Sequence, residues 1–124
     1  MANARRRGRP RLGTRPAGAI RVVWTTLPAR NARAVADALV KERLAACVNA
    51  IPRVRSVYRW KGKVERASET LLLVKAPARR LQALVRRLVE LHPYELPEVL
   101  VFRPERGLPS YVRWVATTGG MPLT

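Results

Sequence analysis

Histidine and cysteine each occur once in this chain, as His92 and Cys47, and only 8 acidic residues stand against 25 lysines and arginines. A lone cysteine excludes an intramolecular disulfide framework and a cysteine-rich zinc centre. It fits a reducing compartment, and the expected location is the cytoplasm. One histidine and one cysteine, without a nucleophile elbow or a glycine-rich phosphate loop, leave no constellation for nucleophilic catalysis, so no enzyme is expected. No apolar run approaches the length of a membrane span, and no membrane partner is expected. Aromatic residues are scarce as well. There is 1 phenylalanine, and the run "TLLLVKA" (70–76) has no ring where an RNA-recognition sheet would place its stacking aromatics.

What the chain has in quantity is arginine. The formal net charge is +17 over 124 residues, a length that suits one domain with a real core. Residues 1–18 hold Arg5, Arg6, Arg7, Arg9, Arg11 and Arg15 and no acid, interrupted by glycine and proline. This segment reads as a disordered basic tail, able to make weak, unspecific contact with nucleic acid or other anions, ahead of a folded domain at 19–124. The remaining charge is read as a solvated face or as an attraction for anionic partners.

Within the domain, "AIRVVWTT" (19–26) is a β-branched run that predicts a buried strand. Ala32, Val35, Ala36, Leu39, Val40 and Leu44 recur at three- and four-residue spacing and predict a helix over 29–44. An extended stretch at 46–60 follows, with Pro52 marking a bulge or an edge position. Val54, Ser56, Tyr58 and Trp60 share one of its faces, and Arg53, Arg55, Val57 and Arg59 the other. Residues 61–63 supply a turn in which Gly62 can take a positive φ. Residues 64–76 return as the second arm. Pro77 opens a helix whose stripe is Leu81, Leu84, Val85, Leu88 and Val89, and which ends at Leu91 because His92 precedes a proline. A fourth strand (97–103) and a short terminal helix or turn (108–118), with Tyr111, Trp114 and Val115 on one side, complete the order. The fold class is therefore α+β: a ferredoxin-like βαββαβ sandwich with a long hairpin between its second and third strands and a short C-terminal helix.

That hairpin outreaches its shelter. A helix of about 14 residues covers roughly 21 Å of sheet, whereas arms of similar residue count reach about 45 Å. A bare two-stranded ribbon is marginal in water, and its open edges invite further pairing. Val54, Val57, Tyr58 and Trp60 are thus expected to pack on another copy of the chain, with Trp114 as a further packing residue, in a cyclic assembly.

The blocks "ERLAACVNAIPRVRSVYRWKGK", "SETLLLVK", "HPYELPEV" and "YVRWV", in this order on this topology, resemble the CutA divalent-ion tolerance family. The resemblance covers roughly residues 20–117. It implies a PII-like homotrimer without established enzyme chemistry, linked to tolerance of copper and other divalent ions. In the branch of the family with a proposed copper site, the ligands resemble a thiol in the first strand and a histidine pair before Pro-Tyr. The matching positions here hold Thr25, Leu91 and His92, so His92 is the one candidate ligand that remains for Cu(II) or another divalent cation. The hairpin departs as well, reading Glu65-Arg66-Ala67-Ser68-Glu69 where relatives carry an acidic run.

His92 is read first as the turn between helix and strand. The alternatives are a ligand pocket between subunits, formed by Tyr58, Trp60, His92, Tyr94 and Glu95, and a metal ligand. Besides metal-ion tolerance, two functions compete: a PII-like sensor taking an anionic small ligand at subunit clefts, and a basic nucleic-acid-binding module.

Overall fold

A computed structural model describes residues 18–118; apart from Gly18, the proposed basic tail lies outside the described residues. The order is β1 (Ile20–Leu27), α1 (Ala29–Lys41), β2 (Cys47–Trp60), β3 (Lys63–Pro77), α2 (Leu81–Leu91), β4 (Leu100–Phe102) and α3 (Pro109–Thr118). The four strands form one sheet in the order β2-β3-β1-β4, and every neighbouring pair is antiparallel. This is the split βαβ arrangement that the order of elements predicts.

Alternation along the strands assigns the faces. Val23 and Leu27 of β1, with Leu72 and Val74 of β3, turn to the helices and join Val35, Leu39, Leu84 and Leu88 in the main core. Deep burial of these aliphatic chains supplies the driving force for the helix layer to dock. On the other face lie Trp24, Leu73 and Ile51, along with Phe102, whose ring meets that of Trp24 at 5.7 Å. α3 covers only one part of that face, where Ile20, Ala46 and Val115 form a second small core with Tyr111 and Trp114 packed against it.

Element ends depart from the periodicity in three places. α1 stops at Lys41 rather than Leu44 because Arg43 turns left-handed (φ 60), and the amides of Leu44 and Ala45 fold back onto the Leu39 carbonyl. Pro77 does not open α2. It closes β3 opposite Ile20, where the ladder needs no donor from it, and a single 3₁₀ turn (Ala78–Arg80) leads into α2. β4 is trimmed to three residues because Pro97 and Pro104 flank it and cannot donate to a ladder.

The long hairpin is as expected, and its bulge sits at Pro52. Ile51 pairs with Leu71 and Val54 with Glu69, so Pro52 and Arg53 face Thr70 alone. Arg53 takes the left-handed conformation this needs (φ 58). The extra residue shifts the alternation by one. Val54, Ser56, Tyr58 and Trp60 thereby continue the helix-free face that Ile51, Leu73 and Trp24 begin. Arg55, Val57 and Arg59 continue the helix-bearing face, at a level where no helix lies above them. Lys61 (φ 50) and Gly62 (φ 82) form the two-residue turn at the tip.

Candidate functional site

β1 ends at Leu27 opposite Thr70, so from Glu69 to the tip β3 has only β2 beside it. The segment 92–99, which joins α2 to β4, wraps past this point. Its placement begins with His92. The proline that follows forces His92 out of the helix into extended backbone (φ −75, ψ 133), and its ring turns inward, where it is buried. Nδ1 accepts the Tyr94 amide (3.2 Å), which leaves Nε2 carrying the proton and donating it to the Thr26 carbonyl (2.9 Å). Both nitrogens of a neutral imidazole are thus used, and the ring also meets Tyr94 at 4.9 Å.

Two further contacts tie the segment down. The Tyr94 hydroxyl donates to Glu69 Oε2 at 2.6 Å, and the Thr26 hydroxyl donates to Glu98 Oε1 at 3.0 Å. The first is a short, charge-assisted bond to a carboxylate that is only 6% exposed. Burial, reinforced by the neighbouring Glu69 carboxylate, holds the Tyr94 phenol well above its ordinary value, so it stays a donor. Between this segment and the emerging ribbon lies a cleft of about 810 Å³, lined by Thr26, Arg55, Ser56, Val57, Tyr58, Arg59, Trp60, Glu69, Tyr94, Glu95, Leu96 and Glu98.

Of the five residues proposed for a pocket, the fold brings Tyr58, Trp60, Tyr94 and Glu95 together around this cleft, with Tyr58 and Trp60 coming from the same chain's own ribbon. His92 does not line it; it lies behind Tyr94 and positions it. The packing residues divide. Val54, Tyr58 and Trp60 share one side of the ribbon and Val57 projects from the other, so the four do not address a common surface. Trp114 packs with Ile20, Ala46 and Val115 within its own chain. Glu69 and Thr26 were not legible as site residues. An isolated acid immediately before the apolar run 70–74 was the available signal for Glu69.

The residues do not fit a copper centre within one chain. Both nitrogens of His92 are engaged, Thr25 is a core hydroxyl, and Leu91 packs on the main core. Cys47 pairs with Lys75, four residues along β3 from the Leu71 that pairs with Thr26, a separation of about 13 Å. Among the described residues no three His, Cys, Asp or Glu side chains come together in a way that could hold a metal ion. The lining of the cleft is mixed in charge, with Glu69, Glu95 and Glu98 beside Arg55 and Arg59.

The imidazole makes the fold sensitive to acid. Burial pushes the His92 pKa below its ordinary 6.5, outweighing the Thr26 carbonyl and the Glu69 carboxylate, which pull it upward. The unfolded chain therefore binds this proton more readily than the folded one. The stability contribution is complete above about pH 6.5 and is lost as pH falls below that value toward the depressed native pKa. Urea unfolding from pH 7.5 down to pH 5 should show this decline, and His92→Gln should flatten it while lowering stability at neutral pH.

Comparison with known proteins places these features in a wider group. The family model of the CutA1 divalent ion tolerance protein matches residues 21–118. Protein CutA of Mus musculus is 41% identical over 99 residues, covering 79% of this chain but only 56% of the mouse protein, so this chain spans about half the length of that relative. The divalent-cation tolerance protein CutA of Thermus thermophilus is 43% identical over 100 residues, 80% of this chain and 97% of the relative. The solved structure of the PII-like protein CutA from a Nostoc species superposes with a TM-score of 0.73 at 38% identity, covering 77% of this chain and 92% of that one. Among the described residues no helix is long and apolar enough to cross a membrane.

Proposed function

This chain belongs to the CutA1 divalent ion tolerance family, and from that premise we propose that it is a non-enzymatic homotrimer serving tolerance of divalent metal ions, copper among them, in the cytoplasm. One observation carries the proposal. The helix-free sheet face (Ile51, Leu73, Trp24, Phe102) continues past the bulge onto the Val54, Tyr58 and Trp60 side of the ribbon, where Glu65 and Glu69 also lie, and Ile51, Tyr58 and Phe102 are each more than 40% exposed. An apolar surface of that extent, on a ribbon unsupported by its own subunit, is a face that expects a partner. A ring of three copies lets each ribbon lie across a neighbour's open sheet. A single cysteine, which leaves no intramolecular disulfide to form, fits a reducing compartment such as the cytoplasm.

Copper enters this reading as an ion the cell is made tolerant to. A resident copper centre forms no part of it, because the ligand set of one chain does not suit the metal. Sedimentation velocity at micromolar concentration tests the assembly: a species of three times the 14.0 kDa chain is expected, and a compact single chain would refute it.

The cleft favours a second reading, a PII-like sensor of a small ligand between Tyr58, Trp60 and Tyr94. Calorimetry against nucleotides and against Cu(II) separates the two. Heat of binding with a nucleotide that Tyr94→Ala abolishes would favour the sensor.

A further inference from the structure

The ribbon segregates its charge. Beyond the end of β1, the side that continues the helix-bearing face carries Arg55, Val57 and Arg59 on β2 and, across the ladder, Ser68, Arg66 and Val64 on β3. All six are exposed. Both carboxylates of the ribbon, Glu65 and Glu69, lie on the opposite side with Tyr58 and Trp60. The ion pairs among the described residues join Arg87 to Glu42 and Glu90, so Arg55, Arg59 and Arg66 have no carboxylate partner there. Arg66 stands opposite Val57, midway between Arg55 and Arg59. The three cations therefore occupy a strip about 13 Å long and one strand spacing wide.

We propose that this strip is a docking surface for the phosphate backbone of double-stranded DNA, bound without regard to sequence. A small anion does not suit it. Arg55 and Arg59 also border the cleft, but the three cations are carried over about 13 Å of strand, more than one phosphate or carboxylate spans, so a small anion would leave part of the strip unused. A duplex, by contrast, presents a charge every ~1.7 Å of its axis, and each phosphate neutralised releases condensed counterions. Single strands are bound through stacking platforms as well as charge, and the ribbon's rings, Tyr58 and Trp60, point the other way. The strip is also the side left free when the aromatic side is covered by a neighbour, so docking does not compete with assembly.

The test is a fluorescence anisotropy titration of a labelled duplex of about 20 bp with the full chain, from about 50 to 200 mM salt. R55E/R59E/R66E is expected to bind roughly tenfold more weakly at about 200 mM salt and several hundredfold more weakly at about 50 mM, because the slope of log K against log salt becomes shallower by about 2.7, the value for three lost phosphate contacts. R33E/R86E/R113E alters net charge equally, at exposed arginines on the three helices, and is expected to lose less than about threefold. Equal losses in the two triples, or none in the first, would overturn the proposal. So would unchanged duplex binding with lost binding to phosphatidylserine vesicles, which would assign the strip to a membrane surface. If charge reversal disturbs the ribbon, the glutamine triples at the same positions, checked by circular dichroism, give the same comparison.

Discussion

Tyr58→Ser combined with Trp60→Ser is expected to turn the assembly into single chains at micromolar concentration. Tyr58 is 46% exposed in the isolated chain and Trp60 is half-buried, so each ring has substantial apolar area still to bury. Aromatic side chains bury ~150–250 Å² when fully covered. Covering the remainder contributes about 2 kcal/mol per ring at ~25 cal/mol/Å². A closed ring of three repeats that contribution at every interface, so deleting both rings weakens association by many orders of magnitude. Sedimentation velocity reads the outcome directly. Val57→Ser is the matched control: Val57 is 64% exposed but projects from the arginine side, and its loss should leave the trimer intact. If the double variant still sediments as a trimer, the ribbon does not hold the assembly.

Tyr94→Phe is expected to cost about 2 kcal/mol of unfolding free energy, since it removes a hydrogen-bond donor from a buried charge. The phenylalanine keeps the ring on His92 and removes only the hydroxyl. The change leaves the Glu69 carboxylate inside the fold without the 2.6 Å bond it accepts. Glu69→Ala removes the charge itself and should cost less, because the half-buried Tyr94 hydroxyl can turn to water. The double variant should cost less than the two singles added together, with a coupling of about 1–2 kcal/mol measured by chemical denaturation. Additive losses would mean that the contact carries no energy of its own.

The behaviour of particular residues shows how much could be read in advance. Pro52 announced the bulge because a residue without an amide proton cannot sit in a regular ladder, and Gly62 announced the tip. His92 was correctly placed at the exit of α2, since the proline after it excludes helical backbone. Pro77 misled because the same fixed φ suits the last residue of a strand as well as the first of a helix, and only pairing with Ile20 chose between them. A third of the cleft's lining was legible, in Tyr58, Trp60, Tyr94 and Glu95. Its floor was not: Glu69 and Tyr94 are 25 residues apart, and Thr26 and Glu98 are 72 apart.

By itself, then, the amino-acid order determined the succession of strands and helices, the overlong hairpin and the family, because these follow from local periodicity, turn chemistry and recurring blocks. Only the tertiary structure decided which way the ribbon's two sides face and what His92 does. One unpaired residue in the ladder reverses every side chain after it relative to the core. A ring nitrogen, likewise, becomes donor or acceptor only when a distant strand brings it a carbonyl.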